Sequence, residues 1–241
     1  MKTFELTNNK LVILILISHA SLLYTLVWGS ALQIFVCFLL FSFITLFAST
    51  VTYHRLLSHR SWNAPRWYEI FGSFLGILSF TGSTISRTAV HRQHHKFSDK
   101  EGDPHSPRIV GRFFVYFPVK NNNNINPKLV IDLLKDPVHR FIHKWYLLLI
   151  IALFLFVMLI LGPAWSISAV LAPGALCWIN ISILNMCGHS LDGYAVDKTW
   201  LSYLTFGEGH HKFHHDHPNE AHISRGTFDP GYFVIKLFEK K

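Results

Sequence analysis

Two stretches of the chain carry no Lys, Arg, Asp or Glu: the residues between Lys10 and Arg55, and those between Lys144 and Asp192. A membrane-crossing helix needs about 20 apolar residues, so each run is long enough to cross a bilayer twice. Each is broken near its middle, by Trp28-Gly29-Ser30 in the first and by Gly162-Pro163 in the second. Gly and Pro punctuate helical patterns and turn the chain. The pattern therefore predicts two helical hairpins, with spans at about 11–28, 31–53, 145–161 and 165–187. Buried helices of soluble domains seldom present charge-free runs of this length. A cleaved leader does not fit the first run either, because it resumes after the short break and has no small-residue cleavage site.

Between and after the hairpins the pattern changes. Residues 67–85 are apolar but dotted with Gly72, Gly76, Gly82 and hydroxyl side chains, which reads as a re-entrant or interfacial hairpin and not as a fifth span. Residues 129–134, followed by Asp136-Pro137, read as a short amphipathic helix at the membrane surface, and 232–238 as another. The polar run Asn121–Asn124 reads as a loop. The expected fold is thus a single all-α integral membrane domain over 1–241. Four transmembrane helices form its two hairpins, and segments 54–144 and 188–241 form a helical cap.

Composition agrees and adds an orientation. Of the 241 residues, 50% are hydrophobic and 15% charged, with a mean hydropathy of +0.29. Residues Arg87–Lys144 hold eleven Lys/Arg against five Asp/Glu, and the hairpin turns hold no charge. By the positive-inside rule the cap and both termini face the cytoplasm. The formal net charge of +8 needs no nucleic-acid partner. Anionic lipid headgroups, an acidic electron carrier or an acidic acyl-carrier headgroup suit it better. Cys37, Cys177 and Cys187 lie in apolar runs and read as small buried residues, not as a disulfide framework. Trp145 and Trp165 stand where interfacial anchors of the second hairpin are expected.

The chemistry is carried by histidine, of which the chain has 16. His91, His94 and His95 in HRQHH are repeated in spacing by His211, His214 and His215 in GEGHHKFHH. Residues three and four apart share one helix face, so each triplet aims three imidazoles into a narrow arc, as metal ligation requires. His54 and His59 in HRLLSHR are five apart, which on an ideal helix separates them by about 140° around the axis. That spacing suits two neighbouring metals, or a fraying helix end, better than one ion. His189 follows the fourth span and returns to the level of His54, which makes it a further ligand candidate. His19 stands alone in the first span and reads as a hydrogen-bonded interior group.

Taken together, HRLLSHR, HRQHHKFSDKEGDPHSP, Asn185 with His189, and GEGHHKFHH resemble the membrane fatty-acyl desaturases of the Δ9 acyl-CoA desaturase type, in particular their compact bacterial members. The resemblance runs from about Thr50 to Pro218. It implies a non-haem centre of two Fe ions held by His54, His59, His91, His94, His95, His189, His211, His214 and His215. Asn185 falls where the family reaches one iron through water. It further implies an O2-dependent enzyme that puts a cis double bond into a saturated acyl chain carried as acyl-CoA or acyl-lipid. Electrons are expected from a separate donor of the ferredoxin or cytochrome b5 type, since the chain shows no fused b5-like domain. The sequence departs from the family at His210, where the family has an aromatic residue, and at Ala89, where the animal enzymes have a basic one. His210, His217 and His222 are expected outside the ligand shell, and headgroup contacts do not carry over.

Imidazole suits iron, and an all-nitrogen shell differs from the carboxylate-rich soluble di-iron sites. A saturated chain offers no acidic proton, so hydrogen-atom abstraction is the available chemistry. Two abstractions from adjacent carbons give an olefin, whereas capture of the first radical by oxygen gives an alcohol, the hydroxylase alternative. A metal transporter is a third reading, but transporters place ligands at mid-bilayer and these cluster at span ends. A bent apolar channel below the metals is expected, with Phe and Leu of the second and fourth spans as candidates to line it.

Overall fold

The computed structural model describes residues 8–118 and 125–240, so the expected Asn121–Asn124 loop lies outside the described residues. Within them the chain is helical, with only two isolated bridges, His189 to Ala195 and Asp197 to His210. Four helices are long and apolar enough to cross a membrane: Lys10–Trp28, Ala31–Ser58, Pro137–Leu161 and Pro163–Cys187. Residues 67–85 do not form a fifth; they give helix α3, Arg66–Leu75, and one 3-10 turn, Gly76–Ser79.

The boundaries follow from local chemistry. Helix α1, Asn8–Trp28, is separated from α2, Ala31–Phe43, by the Gly29-Ser30 break. There the Ser30 hydroxyl accepts from the Gln33 N–H at 3.2 Å while the Gln33 amide oxygen accepts from the Ser30 N–H at 2.8 Å. This reciprocal cap satisfies two N–H groups that a helix start leaves orphaned. The third long helix, α5 (Pro137–Leu161), begins earlier than the expected 145, because Asp136 caps it through Val138 N–H at 2.8 Å and Pro137 fits the first turn. It ends at Gly162, whose φ of 88° lies in the left-handed region that favours glycine.

From Ile44 to Ser58 the second span continues as a π-helix. Its hydroxyls follow the wider winding: Thr52 donates to the Phe47 carbonyl and Ser58 to the Tyr53 carbonyl, each five residues back and each at 2.7 Å. The fourth span is composite as well, with a π-helical stretch Ile167–Leu171 leading into α6, Ala172–Cys187. This is the inner helix, with 56% of its apolar window buried, against 6% for α5. It packs on α1, where Thr25 donates to Ser168 at 3.1 Å, and on α2, with Ala172 and Ala175 clustered against Leu22 of α1 and Cys37 of α2. Exposed side chains such as Trp28, Phe35, Leu155 and Leu159 cover the outer faces of the spans, as lipid contact requires. His19 is hydrogen-bonded, through Nδ1 to the Ile15 carbonyl and through Nε2 to the Tyr116 hydroxyl.

Helix α4, Thr84–Phe97, carries the HRQHH motif and lies across the π-helical end of the second span. Arg92 fixes that crossing by donating to the Leu57 and Ser58 carbonyls, which the helix end leaves free, and to both oxygens of Asp132. The stretch expected as an amphipathic helix at 129–134 is a 3-10 turn, Pro127–Val130, running into a short helix, Ile131–Lys135. Helix α7, His211–Asp216, carries the second HxxHH, and α8, Pro230–Phe238, packs Val234 and Ile235 against Val51, Trp62 and Tyr68.

Candidate metal centre

The π-helix decides how the first histidine pair points. An i→i+5 hydrogen bond stacks residues five apart, and the His59 N–H donates to the His54 carbonyl at 3.1 Å. Both rings therefore face the same way. The expectation that His54 and His59 would serve two metals, or mark a fraying end, is corrected: they belong to one group.

That group is His54, His59, His91, His95 and His214, whose ring nitrogens lie within 4.8 Å of one another. A second group, under the same limit, is His94, His189, His211 and His215. All nine expected histidines are thus gathered, while His210, His217 and His222 belong to neither group. Each HxxHH is divided between the groups. The residues four apart, His91 with His95 and His211 with His215, stay together, and the one between, His94 or His214, turns to the other group. Each helix therefore contributes to both groups, and His95 and His215 stack at 4.5 Å between ring centres across the boundary.

The tautomers follow from partners that only accept. His94 Nδ1–H donates to Asp103 at 2.8 Å, His54 Nδ1–H to Glu208 at 2.8 Å, and His189 Nδ1–H to the Asn185 carbonyl at 2.7 Å. A neutral imidazole so bound presents a bare lone pair on Nε2. His54 Nε2 then faces His214 Nε2 at 3.0 Å, and His94 Nε2 faces His215 Nε2 at 3.1 Å. His189 Nε2 is buried with no hydrogen-bond partner. Buried acceptors left bare and aimed at one another are costly unless a cation lies among them, so the residues present fit metal ions.

Electrostatics point the same way. Burial, then the neighbouring imidazoles, hold His91, His95, His211 and His214 well below the ordinary histidine range, and push His215 down to about 2. The rings are neutral at neutral pH, the form a metal binds. Burial would raise the Asp103 and Glu208 carboxyls, but hydrogen bonds and charges from His94, or from His54 and Arg55, outweigh it and hold both below their usual range.

These carboxylates are what sequence reasoning missed. Asp103 of the GDPHSP stretch is fully buried and also accepts the backbone N–H groups of Asp99, His105 and Ser106, so it ties the loop after α4 to His94. Glu208 is held from behind by Arg55, which is 1% exposed and also pairs with Asp229 at 2.9 Å, the cap of α8. Ser98 Oγ lies 2.8 Å from His215 Nδ1. The only sequence signal was that acids sit inside both histidine motifs. A third cluster, Glu69, Asp136 and His139, is already bridged by Arg66 at 3.0 and 2.7 Å.

Below the groups lies a narrow cavity of about 40 Å³, walled in part by His54, His91, His94 and His211. The second and fourth spans line it with Thr45, Ser49, Cys177, Asn180, Ile181 and Asn185 and contribute no Phe. Of the Phe and Leu side chains expected to line it, Leu184 does and no Phe does.

A family model for fatty acid desaturases matches residues 29–223. The chain is 30% identical over 209 residues to "Delta-9 acyl-lipid desaturase 2" of Arabidopsis thaliana, covering 79% of this chain and 66% of the relative. It is 28% identical over 225 residues to "Acyl-CoA C20 Delta5-desaturase" of Anemone leveillei, covering 85% and 70%. To "sn-1 stearoyl-lipid 9-desaturase" of Anabaena variabilis it is 30% identical over 180 residues, covering 69% and 65%. The chain thus spans about two thirds of the length of these curated relatives.

Proposed function

The chain belongs to the fatty acid desaturase family, and from that premise we propose that it is an O2-dependent fatty-acyl desaturase with a two-iron centre. The five-histidine group, His54, His59, His91, His95 and His214, holds one iron; His94, His189, His211 and His215 hold the other, with Asn185 acting through water. The observation that carries this reading is the set of bare Nε2 atoms, above all that of His189, which has no hydrogen-bond partner and lies 3.5 Å from Asp99 Oδ1. When bound, a pair of irons with O2 supplies an oxidant strong enough to take hydrogen atoms from unactivated carbon.

The chain's own residues do the rest. Glu208 and Asp103 fix the His54 and His94 tautomers and orient the rings, as outer partners of metal-bound histidines do. The cavity walls hold a saturated chain against the centre and keep bulk water out. A cavity of about 40 Å³ holds little more than water-sized groups, so an acyl chain enters by moving the lining side chains.

The substrate is an acyl-CoA or acyl-lipid, and relatives named for position 9 support Δ9 as the bond. Electrons come from a separate donor, of the ferredoxin or cytochrome b5 type. The four spans form two hairpins, with the histidine cap and both termini cytoplasmic, supported by eleven Lys/Arg against five Asp/Glu in Arg87–Lys144. A cysteine placed at exposed Lys128 should resist an impermeant label added from outside the cell; labelling there would overturn this topology.

Expression in a desaturase-deficient host, with mass spectrometry of its fatty acids, tests the activity. A new cis-monounsaturated acyl chain is expected. Hydroxylated fatty acids without a new olefin would instead establish the di-iron hydroxylase reading.

A further inference from the structure

Outside the two histidine groups, a further imidazole is gathered with carboxylates: a ring nitrogen of His139 and oxygens of Glu69 and Asp136 lie within 4.8 Å of one another. Glu69 stands on α3, and Asp136 and His139 stand at the start of α5, so the cluster joins two elements. His139 is buried, with Nε2 2.9 Å from Glu69 Oε1 and Nδ1 3.2 Å from the Thr84 hydroxyl at the start of α4. A hydroxyl both donates and accepts, so Thr84 lets the His139 proton sit on Nδ1 and leaves Nε2 bare for a cation. The cluster already draws a cation to it: Arg66 meets Glu69 at 3.0 Å and Asp136 at 2.7 Å. Both carboxyls lie below their usual range. The hydrogen bond to His139 lowers Glu69, and at Asp136 the hydrogen bonds from Arg66 and the Val138 N–H outweigh burial. Two carboxylates thus share one guanidinium, with one negative charge left over. The Arg66 side chain is 44% exposed, and exposed ion pairs are weakly held. A cleft of about 560 Å³ is lined by Glu69, Asp136 and His139 and not by Arg66, which gives an ion a path to all three donors.

We propose that Glu69, Asp136 and His139 form a further metal site, which takes a divalent transition ion of the zinc class and is plugged by the Arg66 guanidinium when the ion is absent. Histidine nitrogen with carboxylate oxygen is a donor set that zinc takes, at bonds of about 2 Å and with room for water as a fourth ligand. Tetrahedral bonds of that length hold donor atoms roughly 3–3.5 Å apart, which the cluster approaches at 2.9 Å between His139 and Glu69. Magnesium prefers oxygen alone and fits this set less well. Arg66 and the ion compete for the same carboxylate oxygens, so either one fills the site. The ion ties α3 to the head of α5 and, through the Thr84 partner of His139, to the start of the helix that carries HRQHH.

The test titrates the iron-loaded protein in phosphatidylcholine nanodiscs calorimetrically with zinc chloride, against empty discs. Elemental analysis before and after the titration separates added zinc from zinc that replaces iron. One zinc per chain should bind with the iron content unchanged and should raise the melting temperature, as a ligand of the folded state does. Magnesium chloride at the same concentration should do neither. Arg66→Gln should tighten zinc binding at least about ten-fold, because charged hydrogen bonds no longer compete for the two carboxylates. Adding Glu69→Gln to that variant should abolish the gain, and His139→Gln alone should remove the extra zinc. No zinc beyond the iron in Arg66→Gln, zinc bound only as iron is lost, or an undiminished extra zinc when Glu69→Gln is combined with His139→Gln would overturn the proposal. The gain in Arg66→Gln decides the matter even where His139→Gln folds poorly, since misfolding does not produce one tighter site. The site stands apart from the two histidine groups, so a protein that bound this zinc and made no olefin would count against the desaturase reading and not against this site.

Discussion

The two histidine groups are built from the same motifs but on different backbones. The five-histidine group rests on the π-helical end of the second span, whose winding brings His54 and His59 to one side, and all five of its rings pair closely through Nε2. The four-histidine group rests on the end of α6 and on short α7, and among the described residues its His189 Nε2 has no hydrogen bond, with Asp99 Oδ1 at 3.5 Å. One group has five imidazoles and the other four with Asn185 nearby, and both reach the cavity, the first through His54 and His91 and the second through His94 and His211. One repeated motif thus furnishes two groups of unequal nitrogen number.

The largest effect expected is from removing one group entirely. His211→Ala with His215→Ala should halve the iron content and abolish olefin formation, while His59→Ala with His91→Ala should strip the other site. Full iron retained in either double variant, measured by elemental analysis of folded protein, would break the division between groups. Next comes the buried clamp behind His54. Arg55→Met leaves Glu208 and Asp229 without their cation and should destabilise the fold by about 3–5 kcal/mol, read by thermal unfolding.

Asp103→Asn tests the outer support of the four-histidine group. It keeps the shape but weakens the hold on the His94 tautomer, so metal affinity or activity should fall roughly 10–100-fold. Asn185→Ala should keep most of the iron and lose most of the double-bond formation; unchanged activity per iron would reduce Asn185 to a packing residue.

The smallest effect expected is on acidification. His91, His211, His214 and His215 are held below their ordinary value, so the folded chain binds fewer protons than the unfolded one once pH drops below about 6.5. Their contribution to stability is full above that pH and is lost as pH falls further. The melting temperature should therefore decline between pH 7 and 5, and a rise over that range would contradict the neutral-ring assignment.

The four spans and the nine histidines were legible in the sequence because charge-free length and imidazole spacing are local properties. The π-helix was not: its signature is the five-residue step from His54 to His59, which on an ideal α-helix points the rings apart. The exchange of His94 and His214 between groups was hidden as well, because spacing fixes a helix face and not the ion that face meets. Asp103 and Glu208 were visible as acids inside the motifs, but their pairing with His94 and His54 depends on loop closure across the fold. The start of the third helix at Pro137 was signalled by Asp136-Pro137, a cap and first-turn pair that also fits the end of a short surface helix.

The central claim is that the two groups hold one iron each. Iron-edge X-ray absorption combined with anomalous scattering on the iron-loaded protein tests it most directly. The account predicts two iron positions per chain, one within each histidine group, both with first shells of nitrogen and oxygen only. A single iron position, or a second one remote from His94, His189, His211 and His215, would contradict it.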